Sequence, residues 1–136
     1  MTGHIEPSRS GFEAFTDLAR DEPIHMLNLV RYRDLAEYPE GHDHADKGWS
    51  GRQAYREYAR TSGPVFARVG GVIGWQGAFE CMVIGPTDER WDDGFVAQYP
   101  SAAAFLEMIT DPEYQQAAVN RTAALADSRL IRFSPG

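Results

Sequence analysis

A chain of 136 residues, 43% hydrophobic and 24% charged, has the make-up of one globular domain that buries roughly two-thirds of the surface its unfolded chain exposes. Its net charge of −7 disfavours nucleic-acid phosphates and anionic membranes as partners, without excluding a small anionic ligand. The single cysteine, Cys81, excludes an intrachain disulfide, Met1 to Arg9 holds no apolar signal segment, and no apolar run reaches membrane-spanning length, so the expected location is cytoplasmic.

Ser10 followed by Glu13 has capping-box spacing, and Phe12, Phe15 and Leu18 recur at helical intervals. A short helix is expected from about Gly11 to Arg20, ended before Pro23. Ile24 to Tyr32 reads as a strand. Arg33 to Trp49, with Pro39, Gly41 and Gly48, reads as a long polar loop. Its His42-Asp43-His44 and Asp46 are metal-ligand types, but polar loops gather such residues freely and no metal site is assigned there.

Ser50 caps a second helix whose Tyr55, Tyr58, Ala59, Ser62, Phe66 and Val69 form one face. Gly63-Pro64 is expected to kink or interrupt it, and Gly70-Gly71 to stop it. Val72 to Ile84 is extended, with Gly74 and Gly77 as bend or bulge points. Gly85-Pro86 opens a turn through Asp93, and Phe95 to Tyr99 is the next strand. Ser101 caps a helix bearing Ala102, Phe105, Leu106 and Ile109, and Asp111-Pro112 restarts it. Ala117, Ala118, Ala124 and Leu125 give this last helix a small-residue face, and Arg129 to Phe133 closes the chain as a strand.

The order is a helix followed by β-α-β-β-α-β, an α+β ferredoxin-like pattern: one antiparallel sheet with its helices on one face. Ile24, Met26 and Val30 fall on one side of the first strand, and Leu27 and Leu29 on the other. Helices cover one face only, so the simplest cover for the other is the sheet of a second subunit. A homodimer is expected.

Several words of the chain, in this order, resemble the family called domain of unknown function 1330. They are Pro23-Ile24-His25-Met26-Leu27-Asn28-Leu29, Ala54-Tyr55 with Tyr58, Val69-Gly70-Gly71, Val83-Ile84-Gly85-Pro86, Asp88-Glu89-Arg90-Trp91-Asp92, Tyr99-Pro100-Ser101, Phe105-Leu106-Glu107-Met108, Asp111-Pro112-Glu113-Tyr114 and Ala126-Asp127-Ser128-Arg129-Leu130-Ile131. The resemblance spans Pro23 to Ile131 and implies a dimeric α+β barrel, two ferredoxin-like sheets packed face to face. The wider superfamily holds cofactor-free monooxygenases, lactone isomerases, haem-degrading enzymes, peroxidases and ligand sensors, so it does not choose a function.

Asn28 lies mid-strand between Leu27 and Leu29, where its amide needs partners, on the side of Met26 and Val30. Tyr55 and Tyr58 lie on the helical stripe expected to pack there. Trp75 and Gln98, on neighbouring extended segments, are expected to complete a cleft with apolar walls and few polar groups. The resemblance implies that haem-degrading relatives place an asparagine and a tryptophan in such a cleft; Asn28 and Trp75 are similar in kind, but the iron-binding histidine has no counterpart. The competing account is that Asn28 bonds Tyr55 or a backbone group and the aromatics are core. His25 points away from Asn28, toward surface or interface.

Asp88, Glu89, Asp92 and Asp93 read as a solvated turn with Arg90 as partner and Trp91 as anchor. Arg52, Arg56 and Arg60 form a helical stripe that pairs with Glu57 or the second subunit. Gly70-Gly71-Val72-Ile73-Gly74 precedes a strand rather than opening a helix, so it is not a dinucleotide loop. Two functions stay open: a small-molecule enzyme of the oxygenase or isomerase type with no cofactor, or a ligand-binding, sensing or purely structural dimer module without catalysis.

Overall fold

The computed structural model describes residues 3–136. Eight elements follow in order: α1 (Arg9–Thr16), β1 (Ile24–Tyr32), α2 (Gly51–Arg68), β2 (Val72–Ala78), β3 (Asp93–Tyr99), α3 (Ala102–Thr110), α4 (Pro112–Ala124) and β4 (Leu125–Phe133). The strands form one antiparallel sheet in the order β2-β3-β1-β4. That is the ferredoxin-like arrangement, with α3 and α4 as a second helix broken at Asp111-Pro112.

Serine and aspartate caps start the helices. Ser50 and Gln53 of α2 exchange both bonds of a capping box, Gln53 N to Ser50 Oγ at 3.1 Å and Ser50 N to Gln53 Oε1 at 2.8 Å. Ser101 Oγ accepts from Ala104 N, and Asp111 Oδ1 from Glu113 N. In α1 the cap is Ser8 rather than Ser10: Ser8, extended at φ −74° and ψ 159°, accepts from Gly11 N, so the helix begins and ends earlier than expected. Glu13, freed from the box, pairs with Arg9 one turn back at 3.2 Å.

The expected break at Gly63-Pro64 does not occur, and α2 runs unbroken. A residue before proline is disfavoured in helix because its Cβ crowds the ring; Gly63 has none. Pro64 itself is exposed, so water can take the carbonyl it leaves without a donor. β2 ends at Ala78 rather than Ile84, while β3 starts at Asp93 and β4 at Leu125, so α4 passes into β4 without a turn.

Along β1 the burial alternates: Ile24, Met26, Asn28 and Val30 are buried on the helical face. Two cores flank the middle of that row. One joins Ile24 and Met26 to Val65, Ala97, Tyr99, Phe105 and Met108. The other joins Val30 to Ala54, Ala124 and Leu125. Asn28 sits between them, so the one polar residue of the row falls where the apolar packing divides. That division creates the cleft.

The loop of residues 33–49 folds against the helices. Glu37 N donates to Ala123 O at 2.9 Å, and Tyr38 Oη to Asn120 Oδ1 at 2.5 Å. Tyr38, His42, His44 and Trp49 stack on one another, and His44 Nε2 lies 3.6 Å from Glu57 Oε2. None of these loop residues reaches the cleft.

Candidate functional site

A cavity of about 1530 Å³ opens between the inner sheet face and the helices. Its floor carries Met26, Asn28, Phe95, Ala97 and Ser128. Its roof carries Tyr55, Tyr58, Ser62 and Phe66 of α2 with Tyr114 and Arg121 of α4. The size and the mixture of aromatic walls with a few polar groups suit a small organic molecule.

Asn28 Nδ2 donates to Met26 O, two residues back, at 3.1 Å. This is the backbone bond the competing account allowed, but it uses only half of the amide. No described residue donates to Oδ1, which is not sealed from solvent and opens toward the cleft. Four tyrosine rings line one side as a chain, Tyr32, Tyr55, Tyr58 and Tyr114, at centroid spacings of 5.3, 5.2 and 6.1 Å. Tyr58 and Tyr114 share a hydroxyl–hydroxyl bond of 3.0 Å. Tyr32 Oη donates to Asp93 Oδ2 at 2.6 Å, and Arg52 Nη1 donates to the same oxygen at 3.2 Å. The hydroxyls of Tyr55 and Ser62 make no bond to a described residue, although Ser62 is buried.

Trp75 and Gln98 do not join this group, which corrects the expected cleft. Gln98 pairs with His25 and Val72, on the outer face of the sheet. For Trp75 the cause is a bulge at Gly74. Ile73 pairs with Ala97 of the inner face, but the next paired residue, Trp75, meets Val96 of the outer face. The extra residue reverses the alternation. A Cβ at Gly74 would lie 2.2 Å from Gln98 Nε2, the end of a flexible side chain that can move aside, and the Trp75 ring lies near Gly77 and Gly94. The cleft therefore holds Asn28, Tyr55 and Tyr58, and the other two residues lie across the sheet.

The acidic turn also differs from its expectation. Asp92 Oδ2 accepts from Tyr32 N at 2.8 Å, and Glu89 faces Arg129 at 3.8 Å, whose guanidinium covers the buried Trp91. Arg90 is exposed and takes no part. Asp93 lines the cleft through its bonds to Tyr32 and Arg52. Among the described residues no group of three or more His, Cys, Asp or Glu could hold a metal, and no helix is long and apolar enough to cross a membrane.

Two groups at the mouth gave no signal in the sequence. Arg132 of β4 donates to Phe15 O at 3.0 Å and Ala19 O at 2.7 Å, with its guanidinium over the Phe15 ring. Arg121 donates to Ile5 O at 2.6 Å. Together they hold the amino-terminal segment and α1 across the opening, with Phe15 on Phe105 at 5.1 Å. Long-range arginine bonds to backbone carbonyls leave no local pattern.

Burial raises the pKa of Tyr55, Tyr99 and Tyr114 well above the ordinary 10.0, and that of Tyr38 to about 12. Tyr32 is raised by burial first and by its bond to Asp93 second. The folded state holds these protons more tightly than the unfolded chain, so their contribution is full below pH 10.0 and is lost as the pH climbs above it. Phenolate absorbance in an alkaline titration is expected to rise together with loss of far-ultraviolet circular dichroism. A phenolate titration with its midpoint near pH 10.0 and the dichroism intact would contradict the buried tyrosine row.

The fold is shared with known structures. A solved structure of a protein of unknown function from Rhodopseudomonas palustris is 53% identical, covers 99% of this chain and 98% of its own, and superposes with a TM-score of 0.89. A methylated form of that protein gives 54% identity, 100% and 97% coverage and a TM-score of 0.91. At 14% identity, the cofactor-independent oxygenase SnoaB from Streptomyces nogalater covers 85% of this chain and 94% of its own with a TM-score of 0.53, a likeness of fold alone. No curated protein matches. The model of the family described as domain of unknown function (DUF1330) matches residues 49–132, more than half of the chain, and the chain belongs to that family.

Proposed function

We propose that the protein is a homodimer that binds a small organic molecule between the inner face of its sheet and α2. The observation that carries this reading is the divided core. Two closed apolar cores leave a cavity of about 1530 Å³ at Asn28, whose carbonyl oxygen has no partner among the described residues. A purely structural module would fill that space with Tyr55 and Tyr58, and it stays open. Support for the dimer lies on the outer face, where Trp75, Val96, Leu27 and Ile131 form an apolar row across all four strands. A Bacteroides fragilis protein of the same fold, 12% identical with a TM-score of 0.50, is described as dimeric.

Catalysis in this cleft takes the form of a cofactor-independent oxygenation or isomerisation. Asn28 and Tyr55 orient an oxygenated substrate, and the walls exclude water. One observation favours binding without turnover. Every carboxylate and guanidinium lining the cleft has a partner: Asp93 with Arg52, Arg121 with Ile5 O, Arg132 with Phe15 O, Arg129 with Asp127, Arg9 with Glu13, and Glu6 with Thr122.

Native mass spectrometry of gently purified protein is expected to show a dimer carrying a discrete added mass. Returning that molecule to the protein in air, while following oxygen uptake and product mass, separates turnover from storage. A dimer that neither retains nor takes up any small molecule would count against the cleft as a binding site.

A further inference from the structure

The polar atoms left free in the cleft define the chemistry of its occupant. We propose that the ligand is a flat aromatic molecule carrying a hydroxyl group that donates to Asn28 Oδ1 and a carbonyl that accepts from Tyr55 or Ser62. This rests on the helix–sheet cleft being the binding site.

The argument runs through what each group has already spent. One Nδ2–H of Asn28 is committed to Met26 O, which fixes the amide so that its unpaired Oδ1 is the acceptor offered to the ligand. An acceptor in a largely apolar pocket selects a ligand with a donor, since one without it leaves the carbonyl desolvated and unpaired. Tyr55 and Ser62 face the same cavity from one side of α2, seven residues or roughly 10 Å apart along the helix axis. Neither hydroxyl bonds a described residue, so each can donate to a ligand oxygen.

Positive charge on the ligand is disfavoured by the same kind of accounting. Asp93 is neutralised by Arg52, whereas Arg121 and Arg132 bond only uncharged oxygens and keep their positive charge, so the cleft disfavours a cationic ligand. The walls between the polar points are ring faces: Phe66, Phe95, Phe105 and Tyr99 toward one core, and the tyrosine chain toward the other. Such walls favour a flat partner that can stack or meet them edge-on.

Fluorescence titration of the full-length protein at neutral pH with four naphthalene probes tests this. 2-Naphthol supplies the hydroxyl donor, 2-methoxynaphthalene blocks it, 2-acetylnaphthalene supplies the carbonyl, and 2-naphthoate carries a charge. 2-Naphthol is expected to bind at least roughly tenfold more tightly than its methyl ether, which has no donor. Asn28→Ala should abolish the preference for 2-naphthol while leaving 2-acetylnaphthalene binding in place. Tyr55→Phe, combined with Ser62→Ala, should do the converse. Thermal unfolding of each variant establishes that it is folded, and the two variants report independently. Equal binding of all four probes, or a preference for 2-naphthol that survives Asn28→Ala, would overturn the hydrogen-bond assignment while keeping the cleft as a site. Tightest binding of 2-naphthoate, which has no donor at neutral pH, would overturn the selection for a hydroxyl. Binding of none of them would remove the cleft reading itself, and this inference with it.

Discussion

Replacing Leu27 and Ile131 together by aspartate is expected to turn the dimer into folded monomers. The two residues are directly paired on neighbouring strands, in the row that continues through Val96 to Trp75. All four point away from the helices, so in a lone chain they meet water: Trp75 is 57% exposed, and the flanking Val72 and Phe133 are 58% and 50% exposed. An apolar surface spread over a whole sheet marks an interaction face. Two-fold packing of one such row on its copy would bury four new carboxylates per dimer, each without a partner. Desolvating even one unpaired charge outweighs what its neighbours gain from burial, so the dissociation constant should weaken by more than about a thousandfold. Light scattering behind size exclusion reads the result. The native protein should run at twice the 15.2 kDa chain mass and the double variant at the chain mass, with unchanged far-ultraviolet dichroism. A native protein that is monomeric, or a double variant that stays dimeric, would show that this face is not the interface.

The fold was legible where its causes are local. β1 runs over the span Ile24–Tyr32 read from alternation, and its buried row is the row of Ile24, Met26, Asn28 and Val30. Ser50, Ser101 and Asp111 cap the helices they were expected to cap, because a side-chain oxygen before a helical stripe has few other uses. The exceptions share a cause. Ser8 and Ser10 offer the same chemistry two residues apart, and only the surrounding packing decides between them. Gly63-Pro64 reads as a kink or a break from proline alone, yet α2 is not interrupted, and the glycine before the ring removes one of its clashes.

The site divides in the same way. Asn28, Tyr55 and Tyr58 lie in one cleft because strand alternation and helix periodicity place them there without help from distant residues. Trp75 fails that logic through a single inserted residue: the bulge at Gly74 moves the ring to the other side of the sheet, and alternation read from the sequence cannot see it. Gln98 required the register between strands, which pairs it with His25 rather than with Asn28. Asp93 looked like one carboxylate of a solvated turn. Its partners, Tyr32 and Arg52, are sixty-one and forty-one positions away, and the pairing exists only once β1, α2 and β3 meet.

Gly51 is expected to be the residue least tolerant of a side chain. It opens α2 at the point where three backbones converge: Gly51 N donates to Arg33 O at 2.9 Å, and Arg33 N donates to Ala124 O at 2.8 Å, where α4 becomes β4. A Cβ placed on Gly51 would lie 2.3 Å from Arg33 O and 2.6 Å from Ala124 O, and main chain held by hydrogen bonds cannot rotate aside as a side chain can. Relief requires moving the start of α2, and with it Ala54, away from Val30, Ala124 and Leu125, the fully buried second core against which Tyr32 and Tyr55 of the cleft pack. Gly51→Val should therefore cost on the order of 3 kcal/mol or more, since it combines overpacking with the loss of two backbone bonds. Ser50→Ala, one position earlier, removes only a cap and should cost about 1 kcal/mol. Thermal unfolding followed by circular dichroism compares the two. The valine variant should melt roughly 10 °C or more below the native protein, several times the displacement caused by Ser50→Ala. Equal displacements would mean that the junction yields, and that the second core is not the rigid wall on which the placement of Tyr55 depends.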